Sequence, residues 1–379
     1  MAKPIALATG DWHVRKHDRV WSRRDTLCGD TAWSIKQICE IADTYDVPYV
    51  ILLGDLFEQK LQQSDALQTM RSALDTFQQQ GRKVLYVQGQ HERSTPPLLH
   101  ALHLHPLHIN EQLVEIPGTG LRIYGLDYKS PNEVRAALEA VPEGVDILAT
   151  HQVWMDFMGE DRGDAWFHWA KSPRCILTGD FHVTIDETRG QQRIISPGSI
   201  CMQNIGEPHT KNVFILNDDL TAEAVQLHTR GYYEARINDQ EDLDAFIDSW
   251  RQHPARIPKV GVPASVSANI IRVWYREDVP EARERIEARV TGDAHLFLKA
   301  VPVESAQVAV DTARRVQVVL NDGLAGCIRE FYAEPTAVCE DAVSLAGTRD
   351  IQTELLRIYK DRLYGTDSKR EATLSGPAG

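Results

Sequence analysis

Short apolar runs alternate with amphipathic stretches through the first half of the chain. Residues 4–9 (PIALAT), 48–53 (PYVILL), 83–88 (KVLYVQ), 145–150 (VDILAT) and 174–178 (RCILT) each stop at glycine or a polar cluster. Runs this short and this apolar predict buried strands. Between them Ala32, Ile35, Ile38, Cys39, Ala42 and Tyr45 keep a 3-and-4 spacing, as do Leu67, Met70, Leu74 and Phe77. The spacing predicts one-sided helices over 31–46 and 64–80, the second starting near Ser64. Strand–helix alternation predicts a layered α/β domain. From 183 to 227 the pattern turns to strands between turn residues (VTIDET, QRIIS, NVFILN, AEAVQLH), which predicts antiparallel pairing.

The pattern changes again near Gly231, so 1–231 is expected to be one domain. Helix 241–252, strand 268–275, helix 280–290 and strand 294–301 predict a smaller unit over 232–303, set off by the proline-rich stretch HPARIPKVGVPAS. Residues 304–364 read as mostly helical, and DIQTELLRIYKDRLY (350–364) has a clear apolar stripe suited to docking a partner. The last stretch, 365–379, has almost nothing to bury and predicts a disordered tail.

Composition narrows the class. Of 379 residues, 42% are hydrophobic and 25% charged, as in ordinary globular chains. No apolar run reaches the roughly 18 residues of a membrane span, and no leader pattern opens the chain. The six cysteines are scattered without a Cys-x-x-Cys pair, which points to reduced thiols and a cytoplasmic location. A net charge of −13 argues against binding nucleic acid over the whole surface. Yet 14–24 (VRKHDRVWSRR) gathers Arg15, Lys16, Arg19, Arg23 and Arg24, either a local phosphate-holding patch or a solvated loop.

The chemistry sits where the strands end. The runs stop at Asp11-x-His13, Gly54-Asp55, Gly89-Gln90-His91-Glu92, His151-Gln152 and Gly179-Asp180-Phe181-His182. In extended backbone, residues i and i+2 face one way, so Asp11 with His13 and Asp180 with His182 are expected to converge. Carboxyl ends of strands line the ligand crevice of open α/β sheets. Carboxylates mixed with imidazoles suit manganese, iron or zinc better than calcium. The number of such groups suits two ions roughly 3.5–4 Å apart, sharing Asp55 as a bridge.

These motifs resemble those of the calcineurin-like metallophosphoesterases: D-x-H, G-D, G-N-H-[DE], H and G-H-x-H. GDLFE (54–58), SPGS (196–199) and KNVFILNDDL (211–220) look like the SbcD-type DNA nuclease branch. The resemblance implies a layered α/β/β/α sandwich with a small α/β capping domain and a helical C-terminal segment. It implies one ion on Asp11, His13, Asp55 and His182, and a second on Asp55, Gln90, His151 and Asp180. His91 would be the catalytic, non-ligand histidine over the scissile phosphate. The implied protein is a two-manganese DNA exo- and endonuclease of repair, recombination or replication, a homodimer working with an SbcC-type ATPase. Two positions depart from the family: Gln90 stands for asparagine and Asp180 for histidine, both at the second ion, so altered occupancy or metal preference is expected there. A phosphoesterase acting on small molecules or phosphoproteins, and a degenerate DNA-binding scaffold, are the alternatives.

Two further stretches stand out. His100, His103, His105 and His108 crowd one segment, which reads as loop or helix surface or as another metal site. Trp154, Phe157, Trp166, Phe167 and Trp169 follow His151 and suggest a subunit contact, a lid or a base-stacking platform.

Overall fold

The computed structural model describes residues 2–14, 30–58, 64–159, 163–203, 207–250, 262–290 and 294–302. The chain opens with β1 (Pro4–Thr9), α1 (Asp30–Thr44), β2 (Tyr49–Leu53), α2 (Ser64–Gln79) and β3 (Lys83–Val87). Short α3 (Leu98–Ala101) and β4 (Leu107–His108) lead to β5 (Leu113–Ile116), β6 (Leu121–Leu126), α4 (Val134–Glu139), β7 (Ile147–His151), α5 (Met155–Met158) and β8 (Cys175–Gly179). Four strands follow: β9 (Ile185–Arg189), β10 (Gln192–Ser196), β11 (Lys211–Asn217) and β12 (Ala222–Leu227). The smaller unit holds β13 (Tyr232–Ile237), α6 (Gln240–Ser249), α7 (Ala264–Ser267), β14 (Ile270–Arg276), α8 (Ala282–Val290) and β15 (His295–Val301).

Two six-stranded sheets, ordered β12-β11-β1-β2-β3-β4 and β5-β6-β7-β8-β10-β9, form the main body. Their central strands run parallel and are apolar on both faces, as strands covered on two sides must be. Three hydrophobic cores define the layers. Ile51, Leu53, Val87, Ala149, Leu177 and Phe214 meet between the sheets. Val50, Leu52 and Val213 face Ile38, Met70 and Phe77 of α1 and α2. Leu148, Ile176 and Ile194 face Val134 and Leu138 of α4 on the far side. The result is a four-layered α/β/β/α sandwich.

Pairing register then aligns the strand ends. Thr9 sits opposite Leu52, Leu53 opposite Val87, and His151 opposite Gly179. Each residue that follows is delivered to the same edge of the sandwich.

Several elements differ from expectation. The antiparallel reading of 183–227 holds for β9 with β10 and for β11 with β12, but β10 also pairs parallel to β8. The β5–β6 hairpin was not foreseen, because β5 is half exposed and carries no continuous apolar run. The alternation on either side of Pro117-Gly118-Thr119-Gly120 is a signal that could have found it. The aromatic stretch is not an open surface at its centre: Trp154 and Phe167 are buried in the outer core, ring centroids 4.7 Å apart.

Residues 232–301 build a parallel three-stranded sheet, β13-β14-β15, with Leu243, Val273, Ile286 and Val290 in a core of their own. Asp239 caps α6 by accepting from the Asp242 N–H. Contacts group 1–301 as one compact unit and place 302–379 in a second, of which only Pro302 is described. The expected helical segment over 304–364 and tail over 365–379 therefore lie outside the described residues. Among the described residues no helix is long and apolar enough to cross a membrane.

Candidate metal centre

The strand-end residues do converge, though not by the geometry of an extended strand. Asp11, His13, Asp55 and Asp180 all have positive φ, at 50°, 45°, 48° and 75°. Each turns left-handed just beyond its strand, at a cost of about 1–2 kcal/mol per residue that is lowest for Asp and Asn. Strain of this kind persists only where the surroundings fix it: Asp11 N–H donates to the Gly54 carbonyl at 3.0 Å and His13 N–H to the Asp55 carbonyl at 2.9 Å. Glycine is needed where these turns touch. A Cβ on Gly54 would lie 2.5 Å from His151 Nδ1, and one on Gly89 would fall on the Asp55 carboxylate.

Three sets of side chains offer ligand atoms lying within 4.8 Å of one another: Asp11, His13 and His182; His13, Asp55 and His91; Asp11, Asp55 and His151. His13 Nε2 faces His182 Nε2 at 3.2 Å, and His182 Nε2 lies 3.8 Å from Asp11 Oδ1. Asp55 is central. Its Oδ1 accepts the His91 N–H at 3.0 Å, while Oδ2 lies 3.5 Å from His151 Nε2, 3.7 Å from His91 Nε2 and 3.8 Å from His13 Nε2. His151 Nε2 is 3.8 Å from Asp180 Oδ1, which accepts from the Gln90 amide at 2.6 Å. All seven expected ligands are thus linked in one cluster, with His91 on its rim at 30% side-chain exposure against 0% for His151.

The buried atoms are poorly satisfied by protein alone. Asp11 Oδ2, Asp55 Oδ2, Gln90 Oε1 and His151 Nε2 are buried with no hydrogen-bond partner. Four such atoms in one cluster would each cost about 1–3 kcal/mol. Oxygen and imidazole lone pairs of this kind fit divalent cations, so the residues present fit the metal their pattern implies.

Outer partners set the imidazoles for that role. His13 Nδ1 lies 2.9 Å from Glu58 Oε2, His182 Nδ1 2.8 Å from Glu207 Oε1, and His151 Nδ1 2.5 Å from the Leu53 carbonyl. Each acceptor holds the proton on Nδ1 and leaves the Nε2 lone pair facing the cluster. Buried Lys211 clamps Glu207 at 2.8 Å and also reaches Ser199 at 2.8 Å. Glu207 and Lys211 escaped sequence reasoning because nothing near them repeats or alternates with the strand ends. Glu58, the last residue of GDLFE, carried a signal there without a role.

The field inside the cluster favours positive charge. Burial pushes His151 down, but the Asp55 carboxylate, with Asp180 and Asp11 behind it, holds it well above the ordinary imidazole range. Burial likewise opposes charge on His182, and Glu207 and Asp11 outweigh it. Asp55 is pushed up by burial yet held below the ordinary carboxylate range by His151, His13 and His91. In Asp11 burial wins, so its carboxyl rises. Glu92, buried beneath the Gly89 turn and close to Asp55, is pushed up to about 8.

The remaining candidates separate from the cluster. Arg15, Lys16, Arg19, Arg23 and Arg24 lie outside the described residues. His108 is a brace: its Nε2 lies 2.9 Å from both Asp127 oxygens, and Asp127 also accepts from the Gln88 N–H at 2.8 Å. That network ties β6 to the turn carrying Gln90 and His91. His100 contacts the Pro106 carbonyl at 3.2 Å, and neither His100, His103, His105 nor His108 joins a metal-competent set.

No family model matches the sequence, and no curated protein matches it. Solved structures resemble it. One is an archaeal phosphodiesterase, 13% identical over 59% of this chain and 99% of that one, with a TM-score of 0.34. Another is a phosphoesterase from E. coli, 13% identical over 59% of this chain and 97% of that one, TM-score 0.31. A dimetal phosphatase from Danio rerio is 13% identical over 59% of this chain and 99% of that one, TM-score 0.38.

Proposed function

We propose that this chain is a metal-dependent phosphoesterase whose substrate is DNA. One observation carries the reading: four buried, unpartnered ligand atoms, on Asp11, Asp55, Gln90 and His151, meet at the aligned ends of parallel strands. Asp11, His13, Asp55 and His182 would hold one divalent ion, and Asp55, Gln90, His151 and Asp180 the other. Asp55 suits the bridge, since its free oxygen lies between imidazoles of both sets. Such ions supply Lewis acidity toward a phosphate ester, and manganese accommodates both donor sets.

The chain's own residues do the rest. Glu58, Glu207 and the Leu53 carbonyl orient His13, His182 and His151. His91 Nδ1 lies 2.7 Å from the Glu58 carbonyl, which fixes the ring with Nε2 toward the cluster's open side. Protonated at Nε2, His91 is placed to give that proton to a leaving oxygen. The preference for DNA rests on the GDLFE and SPGS resemblance and on the basic run 15–24. A second copy of the chain and an SbcC-type ATPase are the partners that resemblance implies.

The test is cleavage of labelled linear and hairpin DNA, and of a chromogenic phosphodiester, by metal-free protein given manganese. Cleavage of both, lost in His91→Ala with metal content unchanged, supports the reading. Turnover of the diester without DNA cleavage would move the substrate to small molecules. Metal-free protein that binds no manganese and cleaves neither would leave only a scaffold.

A further inference from the structure

Resting on the metal reading above, we infer that the two ion positions are chemically unequal. The Asp11–His13–His182 side is a nitrogen-rich site for a transition ion such as zinc, and the Asp180 side is an oxygen-rich site for a harder ion such as manganese or magnesium.

The donor sets differ in kind. On the first side two imidazole nitrogens, His13 Nε2 and His182 Nε2, already lie 3.2 Å apart. Both rings are locked by carboxylates on their far nitrogens. With Asp11 and Asp55 that side offers two nitrogens and two oxygens. On the second side one nitrogen, His151 Nε2, stands among three oxygen donors: Asp55, Asp180 and the amide of Gln90.

The Gln90 amide can be assigned from chemistry. Its neighbour at 2.6 Å is the Asp180 carboxylate, an acceptor, so the NH2 group must face it. Oε1 therefore points elsewhere, buried and without a partner. The pair forms one unit that presents an amide oxygen and a carboxylate together, with no nitrogen donor. Imidazole draws zinc and iron, whereas carboxylate, amide and water oxygens suit magnesium and manganese. Both sides include negative carboxylates, so donor type rather than charge separates them.

Full-length protein stripped with a chelator would be equilibrated with zinc alone, manganese alone, or both, then desalted and analysed for metal, with calorimetry giving each affinity. The expected result is one tightly held zinc per chain, a second zinc at least about tenfold weaker, and manganese filling that second position while zinc stays. Asp180→His adds an imidazole to the second side and is expected to raise retained zinc to two. Asp180→Asn, which keeps an oxygen and loses the charge, is expected to weaken manganese without gaining zinc, and it covers the case in which the histidine variant does not fold. Two zinc ions of equal affinity in the wild type, with manganese excluded, would overturn the inequality while leaving the metal reading intact. No bound metal in any arm would overturn both.

Discussion

The side-chain amide of Gln90 donates to the Asp180 carboxylate across 2.6 Å, joining the two residues at which the site departs from the family pattern it resembles. Neither can change without exposing the other. Gln90→Glu would set two carboxylates against each other inside a buried cluster, and like charges at that range are costly. The variant is expected to bind its second ion more weakly and to lose activity by about 10–100-fold, as outer and inner ligand changes commonly do. Calorimetric metal titration beside diester turnover checks it. Equal affinity in variant and wild type would show that the pair has no part in holding the ion.

Glu207 is the hinge of a second relationship, between buried Lys211 and His182. Burial opposes its charge, but His182 and Lys211 hold its carboxyl down at about 2, from an ordinary 4.5. A depressed carboxyl contributes stability above its unfolded pKa and loses it as pH falls through the folded one. Metal-free protein is therefore expected to lose up to about 3 kcal/mol between pH 4.5 and 2 from this group alone. Glu207→Gln should flatten that stretch of the denaturation curve and loosen the His182 ring. A curve of unchanged slope would contradict the assignment.

How much of this was legible in the sequence depends on how local the cause is. The buried strands and both long helices follow from periodicity, since Val50, Leu52, Met70 and Phe77 can only face a core. Asp11, His13, Asp55, His151 and His182 were readable because each follows an apolar run that must end at a sheet edge. The reason given for their convergence was wrong in detail, for the left-handed turns at Asp11, His13, Asp55 and Asp180 leave no trace in hydropathy. Glu207 and Lys211 were invisible for another reason. Their roles come from long-range packing against His182 and Ser199, which no spacing encodes. The edge hairpin β5–β6 was missed because a half-exposed strand dilutes its own apolar signal.

Gly89 tests the crowding that brings the loops together. A methyl group there would overlap the Asp55 carboxylate and lie 2.5 Å from the Asp55 backbone nitrogen, so the loops must part. Overpacking of this kind commonly costs about 1–3 kcal/mol. Gly89→Ala is expected to lower the melting temperature and, more sharply, to reduce metal affinity, because Asp55 serves both ions. Thermal denaturation with and without manganese separates the two effects. Full metal-dependent stabilisation in the variant would show that the turn tolerates the methyl and that Asp55 does not depend on it.

Metal binding itself should release protons. His151 and His182 are both raised above the ordinary imidazole value, so metal-free protein near neutral pH carries protons on rings that a cation must take over. For a raised imidazole the sign is fixed: its contribution to metal-free stability is present below about 6.5 and is lost as pH climbs through the folded value. Cation binding runs the opposite way, since each bound ion competes with those protons and affinity must rise with pH. Calorimetry of manganese binding in buffers of different ionisation enthalpy is expected to show net proton release near pH 7, diminished in His151→Ala. The stabilisation that manganese adds to the melting temperature should grow from pH 6 to pH 8. Binding without proton release would mean that the rings are already neutral, and that the carboxylates around Asp55 do not hold positive charge as the geometry requires.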